Sequence, residues 1–186
     1  LVVLSWRLAW PEGGSPARLE VRPFLSGRDY HALHKENADF QFKPEADEAG
    51  GRLVFQTYPS EPAVVALSNG RFEEQAYWYR DFLYTEESDR GLDCFEDLGA
   101  PGTFTFDLAG GEAFLVLGTE AATQGLDGPS LVEQVTSMRS AERALRLAEP
   151  SPLVRAAAAY VVQREEGRTV LAGYPWFLDW GRDTFI

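Results

Sequence analysis

Residues 63–79 read AVVALSNGRFEEQAYWY. Ala63–Ser68 is a short run of apolar and β-branched residues, and Phe72–Tyr79 mixes aromatics with polar residues, a composition that suits strands better than helix. Asn69-Gly70 lies between them, and this dipeptide tolerates the positive φ of a tight turn. The spacing therefore predicts a β-hairpin.

Working outward, more strands follow. Arg52–Thr57 precedes the pair, and Thr103–Leu108 and Glu112–Leu117 come after it, joined by Gly110-Gly111 as a further hairpin. Nearer the start, residues 2–10 alternate, with Leu4, Trp6, Leu8 and Trp10 on one face of a half-buried strand. Pro11 to Pro16, with Gly13-Gly14, reads as a turn. Arg18–Leu25 alternates again, with Leu19, Val21 and Leu25 opposite Arg18, Glu20 and Arg22. Many short strands separated by turn residues predict a mainly β chain, built as an antiparallel β-sandwich.

The pattern changes at Gly128-Pro129. Leu131, Val135, Met138, Ala141 and Leu145 recur every three or four residues, which predicts a helix over 131–148 with one apolar core face. Ser130 and Glu133 have capping-box spacing. Ser151-Pro152 opens a second helix, with Ser as N-cap and Pro at the first helical position, read as running from Leu153 to Val162 and largely buried. Arg164–Gly167 turns the chain and Thr169–Ala172 is extended. The expected domains are a β-sandwich over 1–128, a helical linker over 129–149 and the opening of an α-helical domain over 150–186.

The bulk numbers bound the partners. The chain has 186 residues, 45% hydrophobic and 13% aromatic, with a formal charge of −12. That charge argues against nucleic acid and against an anionic membrane surface, while a neutral polysaccharide is indifferent to it. No apolar run approaches 18 residues. Cys94 stands alone, so no internal disulfide forms, which favours a cytoplasmic setting. Leu1 stands where an initiator Met would, and Phe185-Ile186 closes the chain as if inside a helix, so both ends read as cuts.

The chemistry concentrates in the last residues. Tyr174, Trp176, Phe177 and Trp180 lead directly into Arg182-Asp183. Flat apolar rings beside groups that donate and accept hydrogen bonds suit a sugar, which has an apolar face and a rim of hydroxyls. An aromatic core cluster with a structural Arg-Asp pair would use the same residue types. Other acidic neighbours (Glu73-Glu74, Glu86-Glu87, Glu165-Glu166) read as solvated surface, and Glu96-Asp97 as ordering the loop before Pro101-Gly102. His31 and His34, flanked by Asp29 and Glu36, lack the further ligands that a closed metal site needs. Hydrogen-bonded structural roles fit them better, with His31 favoured, and no cofactor or metal is expected.

Ala172–Thr184 resembles the A-G-Y-P-W-F-x-D-W-G-R-D-T segment of the glycogen debranching enzyme family, the amylo-alpha-1,6-glucosidases of prokaryotic type. Two more blocks are similar to that family. The first is Arg22-Pro23-Phe24 with Arg28-Asp29-Tyr30-His31. The second runs through Trp78-Tyr79, Tyr84, Glu87, Arg90–Asp93, Glu96-Asp97-Leu98 and Pro101-Gly102.

The resemblance implies that residues after about 150 begin an (α/α)6 catalytic barrel, and that the substrate is glycogen or a related branched α-glucan. It also implies that Trp176 and Trp180 wall a terminal-glucose pocket while Arg182 and Asp183 bond sugar hydroxyls. An Arg beside Asp183 favours its ionised form, which accepts hydrogen bonds and donates protons badly, so Asp183 reads as a binder. Inverting glycosidases place two carboxyl groups roughly 6.5–9.5 Å apart to admit a water. By the resemblance that acid and base lie beyond Ile186, so no catalytic residue is assigned within the chain. A glucoamylase-like α-1,4 exo-hydrolase and a non-catalytic carbohydrate-binding or structural β module are the alternatives.

Overall fold

The computed structural model describes residues 1–9, 17–29, 32–47, 51–149, 151–173 and 178–181. Eight strands lie in the first two thirds: β1 (Val2–Trp6), β2 (Arg18–Val21), β3 (Glu45–Ala46), β4 (Arg52–Phe55), β5 (Val64–Ser68), β6 (Arg71–Leu83), β7 (Phe95–Asp107) and β8 (Ala113–Gly118). A short helix α1 (Thr85–Asp89) joins β6 to β7. Then come α2 (Leu131–Ala148), α3 (Pro152–Ala158), β9 (Val161–Arg164) and β10 (Gly167–Val170). The chain is mainly β, as the alternation predicts, and every pairing between these strands is antiparallel.

Two sheets carry the first unit, one ordered β1-β8-β5-β4-β3 and the other β2-β7-β6. Between them lies a core of Phe55, Ala66, Ala113 and Leu115 from the larger sheet against Phe104 and Phe106 from the smaller. Successive strand residues point to opposite faces, so β5 and β8 send their alternate residues outward. Val65, Leu67, Phe114 and Val116 form a second core that Leu131 and Val135 of α2 cover. Both faces of these central strands are dry, which is why Ala113–Val116 carries no polar residue.

Asn69-Gly70 is not a hairpin. It passes the chain from β5 in the larger sheet to β6 in the smaller. Asn69 Nδ2 donates to the Glu112 carbonyl at 2.9 Å and its Oδ1 accepts from Phe114 N at 2.8 Å, so the side chain ties the crossing to β8. Gly70 is needed because a Cβ there would sit 2.5 Å from the Phe106 ring and 2.7 Å from the Thr105 carbonyl. Gly110-Gly111 is likewise a crossing, from β7 to β8 through a 3-10 turn, Leu108–Gly110. The hairpin in this region is instead β6–β7, with strands of 13 residues each. Glu96-Asp97 therefore lies on a strand and not in a loop.

α2 has the predicted bounds. Its apolar stripe is core only at Leu131 and Val135; Met138 is half-buried, and Ala141 and Leu145 are exposed. At its start the Ser130 hydroxyl donates to Asp127 at 2.6 Å, and Gln134 Oε1 accepts from Asp127 N at 3.2 Å. Ser130 is thus turned away from the predicted pairing with Glu133. Packing divides the chain within α2, into Leu1–Val135 and Thr136–Ile186.

In the second unit Ser151 caps α3 by accepting from Val154 N at 3.4 Å, with Pro152 at the first turn, as the sequence predicts. The helix stops at Ala158 and is exposed throughout, shorter and less buried than expected. Its predicted last turn is claimed by a strand: β-branched Val161 and Val162 pair with Val170 and Thr169 in the β9–β10 hairpin. No helix among the described residues is long and apolar enough to cross a membrane.

Candidate functional site

The first two motif blocks converge on the β6–β7 hairpin. Glu96 is fully buried on β7, and a buried carboxylate must find partners. It accepts from Arg28 Nε, from Arg28 Nη2 at 2.9 Å, from the Tyr84 hydroxyl and from His34 N at 3.1 Å. Burial alone would raise its pKa. The hydrogen bonds from Arg28, Tyr84 and the His34 amide outweigh burial and hold it below the ordinary carboxylate value. Burial and the bond to Glu96 push the Tyr84 phenol up in turn.

Neighbouring Asp97 points the other way, as strand alternation requires. It accepts from Asp81 N at 2.9 Å and Glu36 N at 3.1 Å, and these amides lower its pKa. Asp81 has φ 56° and lies in a bulge where Arg80 and Asp81 face Asp97 alone.

His34 is buried beside this pair. Its Nδ1 donates to the Asp97 carbonyl at 2.8 Å, its Nε2 meets the Tyr58 hydroxyl at 2.5 Å, and its ring stacks on Trp78 at 5.5 Å. Arg22 reaches Thr103 at 3.3 Å, Gln75 at 3.2 Å and the Tyr79 hydroxyl. These groups bond one another, and the Glu96 carboxylate is spent on four donors, so the cluster ties strands together and offers no proton to a substrate. Among the described residues no group of His, Cys, Asp and Glu could hold a metal ion. His31 lies outside the described residues.

Through Asp179, the described part of the third block meets the β9–β10 hairpin. Its two-residue turn, Glu165-Glu166, is closed by Gln163 Nε2 donating to the Glu165 carbonyl at 2.9 Å. Beyond β10, Ala172 N donates to the Leu178 carbonyl at 3.0 Å. Asp179 then returns to the hairpin. Its carboxylate accepts from Thr169 Oγ1 at 3.1 Å and from Arg164 Nη1. The Arg164 bond dominates, and it holds the Asp179 carboxyl below its usual pKa. Trp180 follows at once, 48% exposed.

Residues 1–115 match the family described as Glycogen debranching enzyme N terminal, and residues 155–186 match Amylo-alpha-1,6-glucosidase. The chain belongs to the glycogen debranching enzyme family. No curated protein and no solved structure matches it.

In debranching-family terms, the first match takes in both sheets and the Arg28–Glu96 cluster up to β8, while the second begins inside α3. Of the four sugar-contact residues expected from the sequence, Trp180 is the one the structure places. Trp176, Arg182 and Asp183 lie outside the described residues, as does Tyr174. The groove of about 700 Å³ between α2 and α3 is a poor sugar site, because no aromatic ring lines it beside Leu145, Val154 and the charged Glu142, Arg146, Glu149 and Arg155.

Sequence reasoning took Glu96-Asp97 as loop-ordering and missed Asp179's partners. A charged pair between Phe95 and Leu98 was the available signal for the first. Arg164 and Thr169, 15 and 10 residues upstream, gave none for the second.

Proposed function

We propose that this chain is the amino-terminal part of a glycogen debranching enzyme that hydrolyses α-1,6-linked glucose at branch points. The observation that carries this reading is the match of residues 155–186 to the amylo-alpha-1,6-glucosidase family, over the segment where four closely spaced aromatic residues lead into Arg182-Asp183. In this reading the β domain ends near residue 128, residues 129–149 are a linker, and residues after 150 open an (α/α)6 barrel. Trp176 and Trp180 form the apolar wall of a terminal-glucose pocket, and Arg182 and Asp183 bond its hydroxyls.

Hydrolysis with inversion needs one carboxylic acid to protonate the leaving oxygen and one carboxylate to activate water. Two carboxylates of this chain are poorly suited to the acid's part. Glu96 is enclosed, and Asp179 is held ionised by Arg164. The acid and base are assigned to later residues of the enzyme, which works in the cytoplasm without a cofactor.

The test is glucose release from a branched limit dextrin by the full-length enzyme, beside its Asp183→Asn variant and the 186-residue chain alone. Release that falls by about 10²-fold or more in the variant, and none from the short chain, is the expected result. Cleavage of linear α-1,4 chains in place of the dextrin would overturn the linkage assignment. Turnover by the short chain would overturn the placement of the catalytic pair.

A further inference from the structure

Asp179 stands out among the carboxylates because it joins three parts of the chain. Its side chain is 19% exposed while its partner Arg164 is 61% exposed, so the carboxylate is drawn in and the guanidinium caps it from solvent. Arg164 ends β9 and Thr169 lies within β10, so one carboxylate is held by both strands of a hydrogen-bonded hairpin. One residue earlier, the Leu178 carbonyl accepts from Ala172 N, closing the chain on itself at its exit from the hairpin. The backbone at 178–179 is thereby fixed twice, by a main-chain and by a side-chain tie. The next residue is Trp180.

We infer that Asp179 is a positioning residue: the Arg164–Asp179–Thr169 latch fixes where Trp180 presents its ring to a terminal glucosyl unit. The inference rests on the glucose-pocket reading of this loop. Binding groups carried on strands are held more tightly than those on free loops, and a displacement near 1 Å is enough to spoil a productive pose. Arg164 is largely exposed and no described residue of this unit is buried, so the pair contributes little to global stability. Loss of the latch therefore moves the ring without unfolding the chain.

The experiment has two arms. In the full-length enzyme, Asp179→Ala and Arg164→Ala each raise KM for the limit dextrin about tenfold while kcat changes less than about threefold. The double variant is no worse than either single one, because both remove the same tie. Arg164→Lys, which keeps a cation, recovers part of the loss, and the melting temperature stays within a few degrees throughout. Additive effects, or an unmoved KM, would overturn the latch.

The second arm uses the 186-residue chain and needs no activity. Amide hydrogen exchange over peptides covering 172–181 speeds up in Asp179→Ala if the latch holds this segment, and unchanged exchange would overturn it. If the wild-type full-length enzyme releases no glucose from any glucan, the pocket reading fails, and the exchange arm still decides whether the latch exists.

Discussion

Glu96 shows how much a single residue organises here. Its carboxylate binds a side chain from the segment before β3, a tyrosine from the β6–β7 connection and the backbone of His34. Removing its charge leaves Arg28, only 22% exposed, without a counter-ion among the described residues. Glu96→Gln should cost about 3 kcal/mol in urea unfolding.

The same residue sets a pH dependence. Its folded-state pKa is depressed, so its contribution is complete above the unfolded value of about 4.3 and is lost as pH falls through the folded value. The urea midpoint should hold steady from pH 7 to about pH 5 and decline below about pH 4, more steeply in the wild type than in Glu96→Gln. Parallel pH curves for the two proteins would contradict this account.

At the scale of elements, the crossings matter more than the strands. Asn69 donates to Glu112 just before β8 and accepts from Phe114 within it, and Phe114 is 1% exposed. Asn69→Ala removes that acceptor and should destabilise the β unit by about 1–3 kcal/mol, with Asn69→Asp in between because it keeps the acceptor. Thermal melts of the three proteins give the order.

Most strands could be read from the sequence because alternation is local, though β3 and the first half of β7 give no such signal and β9 reads as the end of a helix. The sheet each belongs to could not, because Asn-Gly makes the same turn whether or not its flanks pair with each other. Gly99-Ala100-Pro101-Gly102 looked like a break for a related reason. Pro101 cannot donate to a neighbour, yet β7 runs through it, since Gln75 and Ala76 bulge on β6 opposite this one residue. Gly102 is forced by the same crowding, as a Cβ there would lie 2.2 Å from the Glu73 carbonyl. The aromatic loop was legible as a motif because its rings and charges are contiguous. Its anchoring through Arg164 was not, because folding brings that partner in.

Taken whole, the molecule is uneven. The buried residues lie at or before Val135, and none of the described residues from 136 onward is buried. Leu145, Leu147 and Leu153 are 68–81% exposed. Segments with few buried apolar contacts open at low free energy. Limited proteolysis should cut within 136–170 well before the β unit, leaving a core that keeps its near-ultraviolet dichroism. Early cuts within β4–β8 would refute this.

One edge strand of the larger sheet adds a matter of timing. Among the described residues β1 pairs with β8 alone, Val2 lying opposite Leu117. A ribosome adding about 5–20 residues per second reaches β8 on the order of 5–20 s after β1 has been made. Through that interval the run Leu1-Val2-Val3-Leu4 waits beside other nascent chains with its edge unclaimed, as an adhesive tape would. β1 is thus made well before the strand that shields it, and a cell making this protein quickly has reason to keep a holdase close to the exit tunnel.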